Sequence, residues 1–546
     1  MAHDEQMNTK SRRRSGFPLP VAHLMGLAPL DVWLGLLGRS GMPHPKYWLR
    51  LGFALFTSFV GTVCTVHERI AIALWARSRR GRAAIERHKP SVVVILGYYR
   101  SGTTHLQNLM ASDQRFVTPR WHQCLAGQGF WIGWTVVRFM LVPFLGRTRP
   151  QDAVGFGPDW PGEDDFALCS WGLCSPIPGR LIYPSRWDQW KRWHDLEQLT
   201  DADRDRWRRL TRLFVWKLTR GPNRGRTVLL KTPSHSARVA ELDRLFDGRV
   251  RFVHLVREPR AVIDSNVRMH RALKAHLLED PLSVQAIRER IVDDYAATED
   301  KCERELATID PSRVARIRYQ DLRADGVGTL RGVHETLGMG WTSETEAATT
   351  RYLGTLGDYR PARTPMDLGE PTAREDKVCA AMAARHRLDE PAVESRLVEL
   401  IEPPTARIRR AALAAVGIMV LCWWFWLGTV WVQHEVASMR PRMIMLVWPL
   451  GAAIGWGTRV VARRGSRGLG IWCVALTLLM TPTVLFAISV VNWNWAADDG
   501  TRAWLYHNSR NVYQGLQGSS SIVLVILACV TAYRHASADG PQPPGR

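Results

Sequence analysis

Lysine is scarce in this chain of 546 residues, and arginine carries most of the positive charge. Cysteine is thin as well: nine in all, with no CxxC pair, and Cys169 and Cys174 five apart. That spacing fits neither a zinc knuckle nor a dithiol redox motif. It points to reduced thiols packed as small hydrophobes in a cytosolic setting. No long apolar run follows Arg12-Arg13-Arg14, and Val21 to Leu37 is interrupted by Pro29 and Asp31, so no export signal is expected. No internal repeat stands out, which argues against a solenoid. No cluster of metal-ligating residues appears. Acidic charge is in deficit, 51 carboxylates against 73 bases, for a net charge of +22. Such a surplus suits an anionic substrate, a nucleic acid or an anionic membrane surface, and is silent on fold.

What is present divides into four regions. Residues 1–90 hold a mostly apolar, charge-free stretch from Leu51 to Val66, continued as a helical stripe to Trp75 with Arg69 inside it. It is short for a span of roughly 20 residues, so it reads as a membrane-surface or core-packing helix. Residues 91–370 alternate strand and helix. Apolar runs at 92–96, 227–230, 250–256 and 314–319 read as buried strands. Helical patterns cover 103–110, 236–246, 261–276 and 284–306. The alternation predicts an α/β fold, a parallel sheet flanked by helices. Residues 371–406 predict a helical connector from Thr372 to Ile401, ending at Pro403-Pro404.

Residues 407–546 change solvent. Ala411 to Val432 and Gly470 to Val491 are long runs without charge, and 443–457 and 521–533 are shorter ones. Together they predict an all-α bundle of about four transmembrane helices. Arginines 407, 409, 410, 459, 463, 464 and 467 gather on one side, and aromatic residues fill the last opposite loop. By the positive-inside rule the chain is a multi-pass membrane protein with its α/β region facing the cytoplasm.

After the first strand comes Gly97-Tyr98-Tyr99-Arg100-Ser101-Gly102-Thr103-Thr104. This is a strand-to-helix turn of the kind whose N–H groups cradle phosphate. A nucleoside triphosphatase or kinase loop needs Lys directly after the second glycine, and Thr103 stands there instead. The positive charge has moved into the loop, to Arg100. The pattern therefore favours a phosphate ligand without a metal-bound γ-phosphate. A second element, Phe252 to Ser265 (FVHLVREPRAVIDS), is a buried strand, then Arg257, then a helix that carries Ser265. Arg offers a planar fork and Ser a hydroxyl to one phosphate. By itself Arg257 could equally pair with Glu258 or Asp264. A third, Leu229 to His235 (LLKTPSH), ends a strand in Lys231, where parallel sheets open onto a ligand crevice.

These elements resemble the sulfotransferases that use 3′-phosphoadenosine-5′-phosphosulfate (PAPS). GYYRSGTTHL looks like that family's 5′-phosphosulfate loop, Arg257 with Ser265 like its 3′-phosphate pair, and Lys231-Thr232-Pro233-Ser234-His235 like its Lys-[Ser/Thr]-Pro-x-His segment. Arg318-Tyr319-Gln320-Asp321-Leu322 resembles its Tyr-Glu-Asp-Leu segment near the adenine, with Gln320 in place of Glu. The likeness spans about residues 25–335 and does not reach the apolar C-terminal runs. It implies a P-loop-like sulfotransferase fold, and nucleotide contacts from Gly97, Tyr99, Arg100, Ser101, Gly102, Thr103, Thr104, Arg257, Ser265 and Tyr319. It implies PAPS as co-substrate, 3′,5′-adenosine bisphosphate as product, and no metal.

In-line sulfuryl transfer needs cations on the leaving side and a base for the acceptor proton. Arg100 and Lys231 are the candidate cations. Two residues compete as base. Glu163, in Pro161-Gly162-Glu163-Asp164-Asp165-Phe166-Ala167, resembles the family's acidic segment facing the acceptor; its plain alternative is a carboxylate complementing a helix N-terminus. His235 titrates in the useful range; its alternative is packing beneath the loop. Trp187, Trp190, Trp193, Trp207 and Trp216 read as core packing rather than an acceptor lid. The expected acceptor is a hydroxyl, or an amine, on a small molecule, glycan or lipid at a membrane, with no nucleic acid partner. The competing readings are a P-loop kinase or NTPase and a non-catalytic membrane scaffold.

Overall fold

The computed structural model describes residues 23–131, 157–356 and 367–388, all within one compact unit. The four apolar runs expected to span a membrane, at 411–432, 443–457, 470–491 and 521–533, lie outside the described residues, as does the connector beyond 388.

Five strands form one parallel sheet: β1 (Val92–Leu96), β2 (Phe116–Val117), β3 (Thr227–Lys231), β4 (Val250–Val256) and β5 (Val314–Arg318), in the order β2-β3-β1-β4-β5. β1 is central. Val92 lies opposite Val228 on one side and Val250 on the other, and all five β1 side chains are buried. A strand covered on both faces has no use for alternation, which is why it reads as VVVIL. β2 holds two residues at one edge and was not foreseen; so short a run carries no periodicity. Because every strand is parallel, the ends of β1, β3, β4 and β5 open on the same sheet edge.

The helices start where local chemistry caps them. Glu258 accepts from the N–H groups of Arg260 and Ala261, with Pro259 as first residue of helix Pro259–Ala272. Ser283 caps Val284–Leu306, and Thr372 caps Ala373–His386. The helix expected over 236–246 is broken. A 3₁₀ turn, Pro233–Ala237, precedes a helix Val239–Leu245. The break falls at Arg238, whose buried guanidinium donates to Asp165 and to the carbonyls of Trp193 and His194. The helix expected over 261–276 starts two residues earlier and tightens to 3₁₀ at Leu273–His276. Thr372 to Ile401 is helical only as Ala373–His386 within the described residues, ending at Arg387 in the left-handed region.

The apolar stripe at 51–75 is helix Trp48–Arg77. Among the described residues no single helix is long and apolar enough to cross a membrane; Pro45–Phe59 and Gly61–Arg77, bent by 44°, pass that criterion only as a pair. The tryptophans at 187, 190, 193, 207 and 216 are all buried, which fits core packing. The six described cysteines are free, and all but Cys64 are buried.

Candidate functional site

At the end of β1 the chain turns through Gly97 (φ 146°), Arg100 (φ 71°) and Gly102 (φ 98°) into helix Thr103–Met110. Glycine is needed at both ends of the turn. A Cβ on Gly97 would lie 2.7 Å from the Leu255 carbonyl and 2.8 Å from the Thr103 methyl, and one on Gly102 would strike the Tyr319 ring. Arg100 accepts the left-handed conformation without that freedom, a backbone cost of about 1–3 kcal/mol offset by its surroundings. Its Nε donates to Ser265 Oγ at 3.1 Å, and its carbonyl oxygen accepts from Arg257 Nη1 at 3.2 Å. The loop and the Arg257–Ser265 pair are thus in direct contact, on one side of the sheet. Glu258 is occupied in capping, and Asp264 pairs with Arg288 at 2.9 Å. The Arg257 guanidinium lies 4.6 Å from the centroid of the Tyr319 ring.

Lys231, at the end of β3, is buried; its Nζ donates to Thr104 Oγ1 at 3.2 Å and to Glu163 Oε1 at 2.6 Å. Glu163 stands at the N-cap of helix Asp164–Gly172, and its side chain keeps 19% of its exposure. One ammonium therefore ties the phosphate-loop hydroxyl to the carboxylate expected to face the acceptor.

His235 has a different setting. It is fully buried, with Nε2 2.9 Å from Asp164 Oδ2. Burial raises the Asp164 carboxyl, but the charge and hydrogen bonding of His235 outweigh it and hold the group below its ordinary range. His105, one residue past the loop, is pushed down to about 4 by burial and then by the charge of Arg323. The Tyr99 phenol is pushed up to about 12 by burial, against the Arg180 guanidinium 3.9 Å over its ring. Its OH lies 3.3 Å from Ser234 Oγ.

Three supporting residues escaped sequence reading. Ser236 Oγ accepts from the Gly97 N–H at 2.8 Å, Asn266 Nδ2 donates to the Tyr99 carbonyl at 2.6 Å, and Asp164 faces His235. Each adjoins a motif residue, and that adjacency is the only signal the sequence carries for them. All ten residues expected at the nucleotide gather at this one edge, with half-buried Thr104, Arg257 and Ser265 and buried Ser101 and Thr103. Two glycines kept open by contact, a helix N-terminus, hydroxyls and two arginines fit a ligand with two separate phosphate groups. Among the described residues no group of three metal-ligating side chains occurs.

Residues 176–343 match the Sulfotransferase family. The chain is 30% identical over 334 residues to the omega-hydroxy-beta-dihydromenaquinone-9 sulfotransferase Stf3 of Mycobacterium bovis, covering 60% of this chain and 82% of that one, and equally to its Mycobacterium tuberculosis counterpart. Among solved structures, sulfotransferase STF1 of Mycobacterium tuberculosis aligns with a TM-score of 0.48 at 15% identity, over 65% of this chain and 91% of that one. Sulfotransferase STF9 of Mycobacterium avium aligns with a TM-score of 0.45 at 17% identity, over 70% and 100%.

Proposed function

Because the chain belongs to the sulfotransferase family, we propose that it is a PAPS-dependent enzyme that sulfates the hydroxyl of a lipid-like acceptor. The contact that carries the reading is Arg100 joined at once to Ser265 and Arg257, since it supports one bisphosphorylated nucleotide bridging both motifs. The acceptor class is supported by the relative named for a menaquinone derivative.

When bound, PAPS supplies the sulfuryl group and departs as 3′,5′-adenosine bisphosphate. Thr103, Thr104 and the loop N–H groups would hold the 5′ side, and Arg257 with Ser265 the 3′ side, with Tyr319 flanking the loop. Lys231 and Arg100 set positive charge where negative charge builds on the leaving phosphate. Glu163 orients the acceptor hydroxyl and takes its proton; its partial exposure beside Lys231 supports that role. The full burial of His235 against Asp164 supports a positioning role under the loop instead. The charge-free runs of residues 407–546 support a multi-pass tether that keeps this unit on the cytoplasmic side, close to a membrane-borne acceptor.

Calorimetric titration of 3′,5′-adenosine bisphosphate with a chelator present tests the nucleotide site. Binding that survives removal of divalent metal is expected, and binding that demands magnesium returns the site to kinase or NTPase chemistry. Incubating membranes with radiolabelled PAPS then tests the acceptor, with label expected in the lipid extract. Label confined to the soluble fraction would sink the lipid reading.

A further inference from the structure

The opposite edge of the sheet carries a second cationic concavity. A cavity of about 570 Å³ lies where the chain enters β1 and β3, lined by Arg87, His88, Lys89, Arg220, Arg224 and Arg226 among others. Lys89 meets Asp247 at 2.9 Å. Arg87, Arg224 and Arg226 form no ion pair among the described residues, and Arg220 Nε is buried without a hydrogen-bond partner there. The excess charge is felt locally. His88 is lowered by burial and then by the charge of Arg220; Arg220 is lowered by burial and then by Arg224. This cavity shares no residue with the nucleotide edge.

The cavity adjoins the end of helix Trp48–Arg77. The Arg220 guanidinium lies 4.2 Å from the Trp216 ring centroid, and Trp216 stacks on Trp75, also at 4.2 Å. One face of that helix packs inward through Leu51, Ala54, Ser58, Thr65, Glu68 and Ile72. The other turns Leu49, Phe56, Phe59, Val63, Ile70 and Leu74 to solvent, each at least 48% exposed. Their spacing of three, four and seven residues puts them on one stripe. Exposed Arg77, Arg79, Arg80 and Arg82 follow at once. An exposed apolar stripe without a packing partner among the described residues, running into a basic patch, has the chemistry of a helix lying in the interface of an anionic bilayer.

We propose that this stripe and the cavity together form a docking surface for an anionic phospholipid bilayer, the stripe entering the acyl boundary and the arginines of the cavity taking a lipid phosphate. The inference stands apart from the sulfuryl-transfer reading, because it uses none of the residues of that site. It gives the folded unit its own hold on the membrane, separate from any tether in residues 407–546.

The test uses the full chain reconstituted into vesicles, with a benzophenone amino acid replacing Val63 or, as control, Arg331. Radiolabelled phosphatidylglycerol or phosphatidylcholine serves as probe. Light-driven transfer of label to position 63, and not to 331, is expected in phosphatidylglycerol vesicles. It should fall by roughly fivefold for each basic residue neutralised in Arg224→Gln and Arg226→Gln. A melting temperature matching that of the unsubstituted chain verifies that these variants fold. Equal transfer from phosphatidylcholine, cross-linking to a second copy, or cross-linking to the chain's own C-terminal residues in place of lipid would each overturn the proposal. Loss of nucleotide binding elsewhere would leave this result unchanged, so the two readings fail separately.

Discussion

Gly102 has two reasons to be glycine, its positive φ and the Tyr319 ring against its Cα. Gly102→Ala should therefore displace Tyr319 and weaken 3′,5′-adenosine bisphosphate binding, read by calorimetry, while the melting temperature of the sheet changes little. Glu163 and Lys231 make a contrasting pair. Glu163→Gln keeps a side chain able to meet Lys231 but removes the proton acceptor; turnover should drop by about 10²–10⁴ with nucleotide affinity kept. Retention of full turnover would remove Glu163 as base. His235→Gln should instead lower stability, because it removes the buried imidazole that lies 2.9 Å from the buried Asp164 carboxylate.

At the scale of elements, helix Trp48–Arg77 is pinned by a buried ion pair. Glu68 Oε1 lies 2.8 Å from Lys217 Nζ, which also donates to the Gly127 carbonyl. Both side chains are almost wholly buried. Glu68→Gln should cost about 3–5 kcal/mol by stranding the ammonium. Burial lowers the Lys217 amine to about 8, against the pull of Glu68. Between that value and the ordinary lysine value of 10.5, the unfolded chain binds more protons than the folded one, so stability rises with pH across that window. Thermal unfolding at several pH values, compared with Lys217→Met, should show that slope in the native chain and lose it in the variant.

These contacts also mark the boundary of what sequence reading could reach. β1, β3 and β4 were legible because strands buried on both faces are apolar almost throughout. The strand-to-helix turn at Gly97 was legible because glycine marks the positions that need positive φ at its two ends. The Glu68–Lys217 pair joins positions 149 residues apart, and no local pattern records it. Ser236, Asn266 and Asp164 were missed for the same reason, since their partners arrive only once the sheet has formed. The burial of His235 was not legible, because sequence shows residue type and not surroundings.

For the described unit as a whole, the parallel sheet separates two edges that differ in the kind of positive charge they carry. The edge at the ends of β1, β3, β4 and β5 gathers glycines, hydroxyls and two arginines in fixed geometry. The edge where β1 and β3 begin gathers arginines with few acids. Raised salt should weaken the second far more than the first, because exposed charges are screened and enclosed ones are not. Vesicle association and bisphosphate affinity, followed over one salt series, check that ordering.

Arg100 spends its main-chain oxygen on Arg257 and its guanidinium on Ser265, so a single residue is the hinge pin between the turn after β1 and the start of the helix after β4. If these two segments hold one phosphate each, as proposed, a ligand with a single phosphate leaves that pin only half loaded. Removing the Arg100 and Ser265 side chains together should then cost less than the sum of the two separate losses, because they share one hydrogen bond, and adenosine 5′-phosphosulfate is expected to bind more weakly than 3′,5′-adenosine bisphosphate. Selectivity of this kind measures the span of a ligand rather than its parts.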